Sequence, residues 1–252
     1  MKKQLLTLLL LLAAATNARP QDAESAYAIV KKADDRARGN TSIAEMTITT
    51  VRPKWSRDMK IKTWSKGQDL ALVLVQSPAK DKGVTFLKRK KEVWNWIPSI
   101  ERNIKLPPSM MSQSWMGTDF TNDDLVKESS AVSDYTHRLL GTELQGGREC
   151  HKIELIPKPE AAVVWGKLLL WIDKKDHVEM RVEFYDEDGA ISQTMVGSDL
   201  KMLGGRLLSA RMEMTPAGKR GHRTVIAYNS LVFDQPLADS FFTTENMTRI
   251  GK

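Results

Sequence analysis

Residues 41–63 read TSIAEMTITTVRPKWSRDMKIKT, and the fold turns on their period. Ala44, Met46 and Ile48 alternate with Glu45, Thr47 and Thr49; further on, Met59, Ile61 and Thr63 alternate with Lys60 and Lys62. Successive side chains of a strand point to opposite faces, so these are strands with one dry and one wet face. Next along the chain, residues 70–75 (LALVLV) are apolar on both faces, which requires a cover on each side. The same alternation returns in HVEMRVEFY (177–185), where Val178, Met180, Val182 and Phe184 point one way and Glu179, Arg181 and Glu183 the other. Turn signals at Gly146-Gly147, Lys174-Lys175-Asp176, Asp188-Gly189, Gly204-Gly205 and Ala217-Gly218 separate short strands at close spacing. An antiparallel meander of about ten or eleven strands follows, forming a large curved sheet or open barrel.

Upstream of the strands the period is helical. In DAESAYAIVKKADDRAR (22–38), Ala26, Ile29, Val30, Ala33 and Ala37 share one face, with Asp22 as a candidate cap and Gly39-Asn40 at the end. The chain opens MKKQLLTLLLLLAAATNARP, two lysines before an apolar run and then small residues. That is the pattern of a secretory signal peptide over residues 1–18, cleaved after Ala18; the run is about half of the ~20 residues needed to span a bilayer. The remainder, residues 19–252, shows no repeat, low-complexity stretch or linker and reads as one soluble domain. A single cysteine, Cys150, excludes an intramolecular disulfide, so the fold rests on its core. The formal charge is +7, or +5 without Lys2 and Lys3. Lys80, Lys82, Lys88, Arg89, Lys90 and Lys91 gather around two turns, either as a solvated tip or as a patch for anionic head groups. Export from the cytoplasm argues against a nucleic-acid partner.

Residues 93–125, VWNWIPSIERNIKLPPSMMSQSWMGTDFTNDDL, carry three tryptophans, three methionines, a phenylalanine and three prolines. So many large apolar groups in a Pro-interrupted stretch either plug a core or close over an apolar ligand. The residues alone leave plug and ligand-contacting lid about even, with methionine's flexible thioether tilting toward a surface that fits variable chains. The segment W-x-W-x-P, then Arg102, then Met-Gly-Thr-Asp-Phe-Thr-Asn-Asp-Asp-Leu resembles the outer-membrane lipoprotein-sorting family, distant relatives of the LolA-like periplasmic lipoprotein carrier. Trp96 stands where that pattern has tyrosine, and Thr118 where it often has serine.

The resemblance implies a mainly β (α+β) fold: an incomplete antiparallel barrel with an N-terminal helix and a helical lid enclosing an apolar cavity. It implies a periplasmic carrier of lipoprotein or lipid acyl chains, with an inner-membrane transporter as donor, an outer-membrane acceptor and transient contact with a membrane surface. Met110, Met111, Trp115, Met116 and Phe120 would then form the lid, and Met46, Ile48, Leu72, Leu74, Val182 and Phe184 would line the pocket, with Trp94 and Trp96 shaping its rim. Neither Arg52 nor Arg57 is singled out as the carrier's functional arginine. A lipid- or lipoprotein-sensing subunit of an envelope complex would share the fold, and a structural envelope protein would have a filled core without ligand.

Catalytic and metal chemistry find little support. His137, His151, His177 and His222 lie in different strands or at their ends, with no pair at ligand spacing. Asp119, Asp123 and Asp124 lack the glycine and final glutamate of a calcium loop and are explained by a helix start, capped by Asp119 or Thr121. There is no G-x-S-x-G motif, no phosphate loop and no cysteine with catalytic partners. Neither enzyme nor cofactor is expected.

Overall fold

The computed structural model describes residues 24–124 and 130–252. The signal peptide and Asp22 lie outside them. Helix α1 (Ala26–Arg38) is capped by Ser25, whose hydroxyl accepts from the Ala28 amide at 3.2 Å. It buries Ile29, Val30 and Ala33, while Ala37 in its last turn stays exposed.

Thirteen strands follow among the described residues: β1 (Thr41–Arg52), β2 (Trp55–Lys66), β3 (Leu70–Ser77), β4 (Thr85–Arg89), β5 (Glu92–Ile97), β6 (Arg102–Lys105), β7 (Tyr135–Gln145), β8 (Arg148–Pro157), β9 (Lys167–Asp173), β10 (Glu179–Tyr185), β11 (Ile191–Leu203), β12 (Arg206–Pro216) and β13 (Arg223–Phe233). They form one antiparallel sheet in the order β6-β5-β4-β3-β2-β1-β13-β12-β11-β10-β9-β8-β7. The sequence predicts ten or eleven. The excess is explained by edge strands with little buried face: β6 is exposed at all four residues and β7 along most of its length, so neither carries a clear hydrophobic period.

Every strand is a hairpin neighbour of the next except at two places. β13 returns to pair with β1, and β6 and β7, consecutive in sequence, are the two free edges. The sheet is therefore open rather than closed into a barrel. It is nevertheless curled. One cluster joins Val73, Val75 and Phe86 of one half to Ile153, Leu170 and Val182 of the other, which a flat sheet with strands about 4.8 Å apart could not do. Residues 106–124 leave the β6 edge and lie over this inner face, where Leu106, Met111, Trp115, Met116 and Phe120 join its core.

Each face has its own cover. Val73 and Val75 of β3 face inward, whereas Leu72 faces outward into a cluster with Leu87, Trp96, Phe242 and Met247, the last from helix α2 (Thr244–Gly251). The double burial expected of LALVLV is thus realised. One alternation fails. Arg181 pairs with Trp171 and Glu179 with Ile172, leaving Met180 as the extra residue of a bulge. The bulge turns Val178 and Met180 outward, against Cys150, Leu169 and Trp171, while Val182 and Phe184 stay in the inner core.

Candidate functional site

The inner face is apolar along its middle and turns polar at one end. Ala44, Met46 and Ile48 form the inward row of β1, and the same parity then reaches Thr50 and Arg52. The inward row of β2 runs from Ile61 and Met59 to Arg57, and that of β13 from Ile226 to Thr224. Three adjacent strands so present Thr50, Arg52, Arg57 and Thr224 at one rim.

The segment after β6 docks there. Residues 111–123 fold into a small hairpin: the Trp115 amide donates to the Phe120 carbonyl at 2.8 Å, the Asn122 amide to Gln113 at 2.9 Å and the Asp123 amide to Met111 at 3.0 Å. Met116 and Gly117, with φ of 49° and 78°, make its tip, a run of left-handed backbone that a hairpin turn requires. Thr121 and Asp124 cap each other, the Asp124 amide donating to the Thr121 hydroxyl at 3.0 Å and the Thr121 amide to the Asp124 carboxylate at 2.8 Å. Burial pushes the Asp124 carboxyl above the usual range, against the pull of these Thr121 hydrogen bonds. Thr121, not Asp119, is therefore the cap.

Asp119 has another task. Arg52 donates to its carboxylate at 2.9 Å and to the Gly117 carbonyl at 3.0 Å; Thr224 gives its hydroxyl proton to the same carboxylate at 2.7 Å and accepts from the Asp119 amide at 2.9 Å. Arg57 donates to the Met116 carbonyl. The side chains of Arg52 and Asp119 are only 11% and 7% exposed, so the tip is held by an ion pair largely withdrawn from water.

Below this clamp the hairpin inserts its apolar side chains. Trp115 is 0% exposed and sits against Phe86 with ring centroids 5.6 Å apart; Phe120 is buried in the same core, and Met111 and Met116 pack on it. Met46, Ile48, Val182 and Phe184 belong to that core, and Trp165, which the sequence did not single out, lies tilted against Phe184 with ring centroids 5.2 Å apart. Met110 is half-buried outside the cluster, its carbonyl accepting from the Asn122 amide group at 2.8 Å.

The residues expected to share one pocket are therefore divided. Leu72, Trp96 and the half-buried Trp94 belong to the outer cluster under α2, and Leu74 shares Leu72's side by strand alternation. Trp94 and Trp96 shape no inner rim. Nor do the described residues show a helical lid over an enclosed cavity: the inner face is filled by α1 and an irregular hairpin, and a groove of about 530 Å³ opens instead on the outer side, between Pro236 and Arg249. Cys150 is buried and its thiol pushed up to about 11, mainly by burial, which suits a packing residue rather than a nucleophile. Among the described residues no group of three or more His, Cys, Asp or Glu is placed to hold a metal, and no helix is long and apolar enough to cross a membrane.

The fold is an open, curled antiparallel sheet with an aromatic segment docked on its inner face. It is shared with a LolA superfamily protein from Nitrosomonas europaea (24% identity, 88% of this chain and 99% of that one, TM-score 0.76) and with a putative outer-membrane lipoprotein-sorting protein domain from Vibrio parahaemolyticus (24%, 87% and 98%, 0.75). A DUF1329 family protein from Desulfovibrio piger is similar over 88% of this chain and 97% of its own, at 22% identity and a TM-score of 0.80. Residues 67–249 match the model of the DUF1329-like family of uncharacterized proteins, and the chain belongs to that family. No curated protein matches the sequence.

Proposed function

We propose that the protein is a periplasmic carrier that takes acyl chains of lipoproteins or lipids onto the inner face of its sheet and moves them towards the outer membrane. An inner-membrane transporter would load it and an outer-membrane acceptor unload it. The observation that carries this reading is the hairpin 111–123: a plug of Trp115, Phe120 and two methionines, laid over an apolar face and tied to the sheet at its tip by Arg52 and Arg57. The fold shared with a putative lipoprotein-sorting domain supports it.

Magnitudes favour reversible exchange. Two large aromatic side chains bury roughly 300–500 Å² between them, about 8–12 kcal/mol at 25 cal/mol per Å². An acyl segment of about ten methylenes gains on the order of 8 kcal/mol on burial. A ligand can therefore replace the plug at little net cost, and the plug can displace it again, which suits a protein that must both hold and release. The flexible methionines fit either occupant.

The test is native mass spectrometry followed by solvent extraction of protein purified from the periplasm without detergent, alongside a Trp115→Ser/Met116→Ser variant. Acyl-containing adducts on the wild type, increased several-fold in the variant whose plug competes less well, are expected. A clean apo mass in both, persisting after incubation with envelope extract, would overturn the carrier reading.

A further inference from the structure

The β1–β2 hairpin reaches past its neighbour. β2 pairs with β3 only from Lys60 onward, so residues 55–59 stand beyond the end of β3 by about 17 Å at 3.3–3.4 Å per residue. At the tip Trp55 is 51% exposed, with the Arg52 guanidinium 5.8 Å from its ring centroid. The β12–β13 turn lies alongside: Val51 pairs with Arg223, and a Cβ on Gly221 would stand 3.5 Å from the Pro53 ring. The β3–β4 turn is tied to the same end by Arg57 and Asp81, 3.8 Å apart. These three turns gather Lys54, Lys80, Lys82, Lys219 and Arg220, all exposed and none in an ion pair among the described residues. Nearby acidic groups are engaged: Asp58 by Thr49, Asp81 by Arg57, Asp119 by Arg52, and Glu213 by Arg211 with Arg223 at 3.9 Å. The acidic Asp186-Glu187-Asp188 turn belongs to the next hairpin, β10–β11, to one side.

The basic residues noted in the sequence accordingly separate. Lys80 and Lys82 belong to this end. Arg89, Lys90 and Lys91 lie at the opposite end of β4, and Lys88 is 6% exposed with its ammonium donating to the Gln68 carbonyl.

We infer that this end of the sheet is a docking tip for an anionic phospholipid surface. Tryptophan has an apolar body and a polar edge and settles at the level of lipid head groups. Uncompensated lysines and arginines around it are drawn to anionic head groups within a Debye length, and their methylene stems can lie along the apolar boundary while the charges stay in water. A narrow projecting tip suits a soft, flat lipid surface, which needs no matching contour. Arg52 both flanks Trp55 and holds Asp119, so the docking tip and the clamp on hairpin 111–123 share one turn of chain. The docking site stands on its own residues whether or not the inner face takes up acyl chains.

Protein purified from the periplasm without detergent is tested by flotation with phosphatidylcholine vesicles, with and without about one third phosphatidylglycerol, at low and high salt. Wild-type protein is expected to float with the anionic vesicles at low salt only. Trp55→Ala should weaken binding about tenfold, and Lys54→Ser/Lys219→Ser/Arg220→Ser about a hundredfold, each basic residue near the surface contributing roughly a fivefold factor. Both variants alter exposed side chains, so unfolding temperature should stay at the wild-type value. The acyl content measured by native mass spectrometry should stay unchanged too, which separates this site from the carrier reading. Failure of the wild type to bind anionic vesicles, or equal binding by the variants, overturns the inference.

Discussion

The two faces of the sheet are covered in different ways. On the outer face, helix α2 is welded down at close range: Gly251 and Gly83 approach so nearly that a Cβ on Gly83 would lie 2.2 Å from the Gly251 carbonyl oxygen, and a Cβ on Gly251 would meet the Trp96 ring at 2.5 Å. Phe242 and Met247 fill the contact, fully buried, and Thr243 caps the helix. On the inner face, hairpin 111–123 buries Trp115 and Phe120 and is anchored at its tip by Arg52, Arg57 and Thr224. A cover locked by backbone contact separates only when the sheet unfolds. A cover held by a few polar groups at one rim can open as a unit of lower stability than the whole. The difference marks which face is built to exchange its contents.

The largest effect is expected on the outer face. Phe242→Ala should cost about 3–5 kcal/mol, the usual range for emptying a packed aromatic site, and lower the denaturant midpoint of the whole protein. Gly83→Ala should act in the same way, since backbone stands where the methyl must go. Trp115→Ala removes a larger side chain, yet it should lower global stability by less, because its cost cannot exceed the free energy of opening the hairpin alone. Denaturant titration of the three variants checks this. If Trp115→Ala proves as costly as Phe242→Ala, the hairpin is an integral part of the core and the contrast between the faces fails.

Next is the clamp. Asp119→Asn leaves Arg52 buried without its counter-charge, a loss on the order of 3 kcal/mol for a withdrawn pair. Hydrogen exchange should then accelerate a hundredfold or so in residues 111–123 while protection in β8–β10 is unchanged. Uniform acceleration across the sheet would show that the ion pair stabilises the fold rather than the hairpin.

Much of this arrangement is written in the chain, and the parts that are not have physical reasons. A period of two places Met46, Ile48, Val182 and Phe184 on one face, where they lie. It also carries the clamp in outline, because the inward row of β1 ends in Arg52 and that of β2 in Arg57, charges at positions where apolar residues belong. Neither arginine reveals its partner, since Asp119 lies beyond β6 and is reached only when the stretch after that strand folds back over β1 and β2. Alternation also fails to say which cover a strand side receives. Leu72, Trp94 and Trp96 are as apolar as the inner residues, and only the position of α2, far along the chain, assigns them outward. A one-residue bulge at Met180 reverses a face without a change in composition.

A third cover, α1, offers a pH-dependent comparison. Glu179 on β10 is half-buried, and burial, with the charge of Asp34 on α1 adding to it, raises its carboxyl to about 7 from an ordinary 4.5. The folded state holds this proton more tightly than the unfolded chain does. The stability it confers is complete below about pH 4.5 and lost progressively as pH rises to about 7. Glu179→Gln should therefore raise the unfolding free energy at pH 8 by about 2 kcal/mol once partial solvent access is allowed for, with a matching rise in the thermal midpoint, and change little at pH 4.5. The carboxylates of Glu24, Asp173 and Asp234 are held below their ordinary values and act in the opposite sense, losing stabilisation in acid. Thermal unfolding at both pH values reads the difference. An equal shift at both would mean that the gain comes from packing rather than from ionisation.

The smallest effect comes from the glycine at the tip of the inner hairpin. Gly117 and Gly83 both have positive φ, 78° and 88°, so alanine is strained at each. Their surroundings differ: at Gly117 the nearest atom to a new Cβ is an Arg57 guanidinium nitrogen at 3.9 Å, an ordinary contact, whereas at Gly83 it is backbone at 2.2 Å. Gly117→Ala should therefore cost only the conformational penalty, about 1 kcal/mol, and the cost should appear as faster exchange of residues 111–123 with almost no change in the global midpoint. Because the arginine contacts stay in place, the variant weakens the hairpin without unpairing the clamp. It should bind acyl chains more tightly than the wild type, since the plug that competes for the inner face is then the poorer competitor. Tighter retention with an unchanged midpoint would set plug and ligand in direct competition; weaker retention would mean that the hairpin holds the ligand instead of opposing it.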